Sequence, residues 1–78
     1  MVLMFEDNKG KEIYLGDFDT KKEAYKKMMD FLSNYDFKVY YTRSAYYKDK
    51  GYLWIDFGSH SSFFHLYGTE EECVGNAS

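Results

Sequence analysis

Apolar and polar residues alternate along two short segments at the start of the chain. Residues 2–5 and 12–15 both follow the period of two that is typical of β-strands. The residues between them include Asn8 and Gly10, which tolerate a positive φ in a tight turn. This pattern predicts a β-hairpin.

A helical period with a recognisable start follows the hairpin. Thr20 and Glu23 fit a capping box, in which the Thr20 hydroxyl accepts from the Glu23 amide and the Glu23 carboxylate bonds back to the Thr20 amide. Apolar residues then recur at helical spacing: Ala24, Met28, Phe31 and Leu32. The spacing predicts one amphipathic helix over residues 20–33, with Asn34 as a left-handed stop.

Three further segments alternate in the second half of the chain. They are residues 37–47, 52–57 and 62–67, and turn residues separate them at 49–51 and 58–61. The predicted order is therefore β-β-α-β-β-β. This order is typical of an α+β domain in which one amphipathic helix packs on one face of an antiparallel sheet.

One helix covers only one face of such a sheet, so alternation divides the apolar residues between two faces. The face toward the helix would contain Leu3, Phe5, Ile13, Leu15, Val39, Tyr41, Leu53, Ile55, Phe57, Phe64 and Leu66. The uncovered face would contain Met4, Tyr14, Tyr40, Tyr52, Trp54, Phe63, His65 and Tyr67. Aromatic side chains bring roughly 150–250 Å² each, so this face predicts a contact surface. A tyrosine-rich face that stays in water without a partner is the simpler alternative, and a homodimer packed face to face is another.

Length, composition and charge limit the class of protein. The 78 residues suffice for one domain, predicted over residues 1–68, and the acidic residues 69–78 predict a flexible tail. No apolar run approaches the roughly 18–20 residues that cross a bilayer, and the single Cys73 excludes an internal disulfide, so a cytoplasmic location is expected. The net charge of −3 argues against a general binder of duplex DNA.

Candidate chemistry is sparse. Asp56, His60 and His65 lie within ten residues with Cys73 beyond, but no second closely spaced ligand pair supports a metal site. Residues 59–62 (SHSS) are typical of a turn rather than a catalytic triad, and no glycine-rich nucleotide loop occurs. The sequence predicts neither a catalytic residue, nor a metal, nor a cofactor.

Two kinds of macromolecule could bind the aromatic face. Single-stranded nucleic acid is favoured by basic residues among the tyrosines, namely Lys38, Arg43, Lys48 and Lys50. It is disfavoured by Asp56 on the same face and by the acidic ends of the chain. A protein partner fits better, because aromatic residues dominate interface centres and acidic loops steer a domain toward a basic partner. The candidate contact residues are Tyr40, Tyr52, Trp54, Phe63 and Tyr67, with Arg43, Asp17, Asp19, Glu70 and Glu71 as a charged rim.

The general character of the chain resembles a group of small inhibitor proteins. A tiny domain with acidic ends, rich in Tyr, Phe, Asp and Lys, with TKKEAYKKMMDFLSNYDF as its helical segment, is similar to the phage and mobile-element proteins that inhibit host defence, including anti-CRISPR proteins. The resemblance covers the whole chain and rests on no specific motif. It implies stoichiometric binding to a protein such as a CRISPR effector or another nuclease.

Overall fold

The computed structural model describes residues 1–35, 42–59 and 61–74, which form five strands and two helices. In chain order these are β1 (Val2–Glu6), β2 (Glu12–Asp17), α1 (Lys21–Asn34), β3 (Arg43–Tyr47), β4 (Tyr52–Asp56), β5 (Phe63–Tyr67) and α2 (Glu70–Val74). The predicted α+β class is confirmed, and α2 is an addition to the predicted order. Within the described ranges, no helix is long and apolar enough to span a membrane.

The five strands form one antiparallel sheet in the order β2-β1-β5-β4-β3. The hairpin β1–β2 and the meander β3–β4–β5 meet where β1 pairs with β5, so the first and last strands lie side by side inside the sheet. Strands β2 and β3 form the two edges, and the chain passes from one edge to the other through α1. The first part of the predicted strand 37–47 lies outside the described residues.

Helix α1 begins where the sequence predicted. The Thr20 hydroxyl accepts from the Glu23 amide at 3.2 Å and donates to the Glu23 carboxylate at 3.0 Å, so the return bond goes to the hydroxyl instead of the predicted amide. The helix ends differently from the prediction. Asn34 is its last residue, and Tyr35 caps it with φ −108°, so the predicted left-handed stop at Asn34 is wrong.

The core lies between the sheet and the helices. Its buried members are Leu3, Phe5, Ala24, Met28, Leu32, Leu53, Ile55, Phe57, Phe64, Leu66 and Cys73. The prediction that Ile13 belongs to this core is wrong, because its side chain is 39% exposed. Ile13 pairs with Phe5 but lies on edge strand β2, where the helices leave it open to water. Val39 and Tyr41 lie outside the described residues.

The segment predicted as a flexible tail contains α2. Thr69 and Glu72 form a capping box, because the Thr69 hydroxyl accepts from the Glu72 amide at 3.1 Å and the Glu72 carboxylate accepts from the Thr69 amide at 2.9 Å. Cys73 is fully buried, and its Sγ donates to the Leu66 carbonyl at 3.3 Å. This thiol fixes the short helix to the core beside β5, whereas residues 75–78 lie outside the described ranges.

A bulge at the end of β2 makes Gly16 a sensitive position. Leu3 pairs with Gly16 and Met4 with Tyr14, so Leu15 is the extra residue of the bulge. Gly16 has φ +147°, and an added Cβ would lie 2.9 Å from the Phe18 ring. We expect Gly16→Ala to lower the free energy of unfolding by about 1–3 kcal/mol, measured by urea denaturation.

The matched control for this substitution is Gly10→Ala in the hairpin turn. Gly10 also has a positive φ, +83°, but an added Cβ would meet nothing within 4 Å. In this variant the free energy of unfolding should fall only by the cost of placing alanine in a left-handed backbone conformation, about 1–2 kcal/mol. If both variants lost the same stability, close packing against Phe18 would contribute nothing.

Candidate functional site on the open face of the sheet

Both helices pack on the same face of the sheet. Ala24, Met28 and Leu32 of α1 and Cys73 of α2 belong to one core cluster with the inward residues of the strands. The opposite face, called the open face below, has no helix over it in the described part of the chain. The open face therefore corresponds to the uncovered face on which alternation places the predicted contact residues.

Strand register arranges the open face in three rows that run across all five strands. The charged row is Arg43, Asp56, Phe63, Glu6 and Glu12; the central row is Ala45, Trp54, His65, Met4 and Tyr14; the tyrosine row is Tyr47, Tyr52, Tyr67, Val2 and Asp17. Each row lists the residues in strand order from β3 to β2. The rows place aromatic residues across the whole face and three of its four carboxylates, Asp56, Glu6 and Glu12, in the charged row.

Five aromatic side chains of the open face form two contacting groups. The ring centroids of Trp54 and Phe63 are 5.1 Å apart, and those of Tyr52 and Tyr67 are 5.2 Å apart. Tyr47 adds a further ring 5.8 Å from Tyr52. Each of the four central rings is half-buried against its neighbours. The structure thus brings Tyr52, Trp54, Phe63 and Tyr67 together on one face, as alternation predicted, whereas Tyr40 lies outside the described residues.

The predicted charged rim is divided between different places. Arg43 lies in the charged row and bonds Asp56, with Nη2 2.9 Å from Oδ2. Asp17 lies at the tyrosine end, where its carboxylate is 3.3 Å from the N-terminal amine. The remaining acids lie off the rows: Asp19 precedes α1, and Glu70 and Glu71 are in α2, where Glu70 is 3.5 Å from the Lys48 amine.

A buried histidine joins two glutamates in the middle of the open face. His65 is 6% exposed, its Nδ1 is 2.8 Å from Glu12 Oε2, and its Nε2 is 3.3 Å from Glu6 Oε1. The Tyr52 ring stacks on the imidazole with centroids 4.2 Å apart, and the Tyr67 hydroxyl donates to Glu12 at 2.9 Å. The position of His65 on this face was predicted from alternation, whereas its contacts with Glu12 and Glu6 were not.

The two glutamates of this cluster oppose each other directly. Glu6 and Glu12 are partners across the β1–β2 ladder, an arrangement in which like charges repel. His65 offers one imidazole to both carboxylates, so the cluster keeps a net negative charge whether or not the ring is protonated. The charged row is therefore acidic on the β1–β2 side.

Hydrogen bonding shifts the titration of the residues around Glu12. The bond from His65, followed by the one from the Tyr67 hydroxyl, holds the pKa of Glu12 below its ordinary value. Burial, followed by the neighbouring Glu12 carboxylate, raises the pKa of Tyr67 to about 12. Tyr67 therefore remains a neutral hydrogen-bond donor to an ionised Glu12 at physiological pH.

The remaining polar groups of this region have structural partners. The Asp56 carboxylate accepts from Arg43 and from the Gly58 amide at 2.9 Å, and the Ser59 hydroxyl accepts from the Ser62 amide at 3.1 Å. His60 lies outside the described residues. Within residues 1–35, 42–59 and 61–74, no group of three histidine, cysteine or acidic side chains has the arrangement of a metal site.

The fold and its open face define the class of protein. It is a small α+β domain whose antiparallel sheet packs helices on one face and presents aromatic rings with an acidic end on the other. Comparisons with protein-family models, with curated proteins and with solved structures give no match for this chain.

Proposed function

We propose that this chain is a non-catalytic binding protein that acts stoichiometrically, as a small inhibitor or adaptor, by binding another protein through the open face. The observation that supports this most is that four half-buried rings lie on this one face, with Tyr52 in contact with Tyr67 and Trp54 in contact with Phe63. Rigid aromatic side chains of this kind dominate the centres of protein interfaces, because they bury much surface at low entropic cost.

The favoured target is a host-defence or nucleic-acid-processing protein, such as a CRISPR nuclease. Glu6 and Glu12 make one end of the open face acidic, and Asp17 lies at the tyrosine end beside the N-terminal amine. Proteins that process nucleic acids carry basic surfaces, and complementary charge speeds encounter and fixes orientation. The resemblance to phage inhibitors of anti-CRISPR type points to the same target class.

Single-stranded nucleic acid is the second candidate ligand. Exposed tyrosine and tryptophan rings on a sheet can stack bases, and this supports the alternative. The positions of Glu6 and Glu12 argue against a nucleic-acid ligand. Their carboxylates lie on the same face as the aromatic rings and would repel a phosphate backbone. The protein ligand therefore has the stronger support.

An affinity pull-down tests the proposal. The tagged protein is incubated with a bacterial lysate that contains CRISPR nucleases, with and without nuclease treatment, and bound proteins are identified by mass spectrometry. We expect a stoichiometric protein partner that survives nuclease and is lost with Trp54→Ala, since truncating an aromatic anchor costs about 2 kcal/mol or more.

Met29→Ala is the matched control for this experiment. Met29 is an apolar side chain on α1, away from the open face, and is 46% exposed. This variant should retain the partner in full. If the bound proteins disappear after nuclease treatment, the open face binds nucleic acid instead of a protein. If Trp54→Ala recovers the same amount of partner as the unmodified protein, the open face is not the contact surface.

A further inference from the structure

The charged residues of the open face are distributed unevenly across its strands. Asp56 is bonded by Arg43 on the β3–β4 side of the charged row, whereas Glu6 and Glu12 on the β1–β2 side share the single ring of His65. The Glu6 side chain is 30% exposed and that of Glu12 is 34% exposed, so each presents part of its surface to solvent. The net negative charge of the face is therefore concentrated beside β1 and β2.

Aromatic rings lie next to this charge. Phe63 is the direct ladder partner of Glu6 and contacts Trp54, and the Tyr67 hydroxyl bonds Glu12. A group that fits such a surface must be cationic at one end and able to lie flat on a ring. The arginine guanidinium meets both needs, because it is planar, stacks on aromatic faces and forms paired bonds with carboxylates.

We propose that the open face binds a protein segment that places an arginine side chain over Phe63 and bonds it to Glu6 and Glu12, beside an apolar side chain that packs on Trp54. This inference rests on the proposed function and specifies the chemistry of its partner. Complementary charge distinguishes this occupant from a nucleic acid, which would bring phosphates to the same carboxylates, and from a second copy, which would bring another acidic row.

Selection from short random peptides displayed on phage tests the inference without a known partner. The full chain is the bait, and Trp54→Ala and Glu6→Gln are parallel baits. We expect peptides enriched in arginine next to an aromatic or aliphatic residue. Trp54→Ala should abolish enrichment, and Glu6→Gln should weaken binding of the selected peptides about tenfold, since a hydrogen bond between charged groups is lost.

Asp30→Asn is the matched control, because it removes one exposed carboxylate on α1, away from the open face. It should leave peptide affinity unchanged. Replacing the arginine of a selected peptide by citrulline, which keeps the shape and removes the charge, gives a second test that alters no residue of the protein. This exchange should also weaken binding about tenfold.

The outcomes separate the two proposals. Peptides that depend on Trp54 but lack arginine, or that tolerate both Glu6→Gln and citrulline, would overturn the inference and leave the proposed function intact. Peptides indifferent to Trp54→Ala would overturn both. The arginine proposal would also be overturned if the chain bound a labelled single-stranded oligonucleotide more tightly than the selected peptides. Sedimentation as a dimer that Trp54→Ala dissociates would overturn it as well.

Discussion

Replacing Phe64 with alanine is expected to unfold most of the protein under native conditions. The Phe64 ring is fully buried, and its centroid lies 5.1 Å from that of Phe5 and 5.4 Å from that of Phe57. Truncating a buried phenylalanine costs about 3–5 kcal/mol, because apolar transfer is lost and a cavity remains. A single core of this size supplies roughly 3–5 kcal/mol in total. Circular dichroism should therefore show a largely unfolded variant without denaturant.

The adjacent residue provides the control for this substitution. Phe63→Ala removes the same ring from the open face, where it is half-buried and contacts Trp54. We expect a loss of about 1 kcal/mol and a folded protein. Phe64→Leu, which leaves a smaller cavity, allows the core effect to be measured by urea denaturation even if the alanine variant does not fold. Equal losses for the two alanine variants would contradict the assignment of the two faces.

The division between these two faces was predictable because side-chain alternation is a local property of a strand. The sequence FFHLY in β5 and the sequence YLWID in β4 each fix which residues share a face once they are assigned as strands. The start of α1 was predictable for the same reason, since a capping box lies within four consecutive residues. These features need no knowledge of which strands are neighbours.

Helix α2 and the exposure of Ile13 were not predicted, because the surrounding sequence indicated a different structure at both places. Thr69 and Glu72 form a capping box as clear as that of α1, but acidic residues without a helical period predicted a tail. Besides this cap, the burial of Cys73 holds so short a helix in place, and that burial depends on the core beneath it. For Ile13 the error was to predict burial where the side chain is exposed, because strand alternation cannot distinguish an edge strand from a central one.

The His65 cluster depends on strand order, which the sequence did not specify. Glu12 and His65 are separated by 53 positions and by one intervening strand, β1, across which their side chains reach each other. Their contact follows only from the order β2-β1-β5, which places Glu6 between them. Hydrophobic pattern alone allows several strand orders, so the aromatic part of the candidate site could be predicted and its acidic part could not.

Replacing His65 with alanine is expected to lower the free energy of unfolding by about 2–3 kcal/mol at neutral pH. The side chain is buried, and its two ring nitrogens are the groups that hold Glu12 and Glu6 at 2.8 Å and 3.3 Å. Without the ring, the two carboxylates oppose each other across the β1–β2 ladder with no group between them. Urea denaturation followed by circular dichroism measures the loss.

The pH dependence of this loss identifies its origin. The pKa of Glu12 is held below its ordinary value of 4.5, chiefly by the bond with His65, so this bond stabilises the fold above that pH and is lost as the pH falls through the lowered pKa. In His65→Ala this bond is absent and the two opposed carboxylates repel each other, so protonation of either one relieves repulsion and the variant loses less stability on acidification. The difference between the two proteins should therefore be largest near neutral pH and shrink below about pH 4.5.

Two further variants separate charge from packing in this cluster. Adding Glu12→Gln to His65→Ala should restore part of the stability at neutral pH, because it removes one of the two opposed charges. Tyr67→Phe removes only the second donor to Glu12 and should cost about 1 kcal/mol. If His65→Ala lost the same stability at every pH and Glu12→Gln restored none of it, the imidazole would act as packing under Tyr52. His65 would then stabilise the fold without a contribution from its bonds to Glu12 and Glu6.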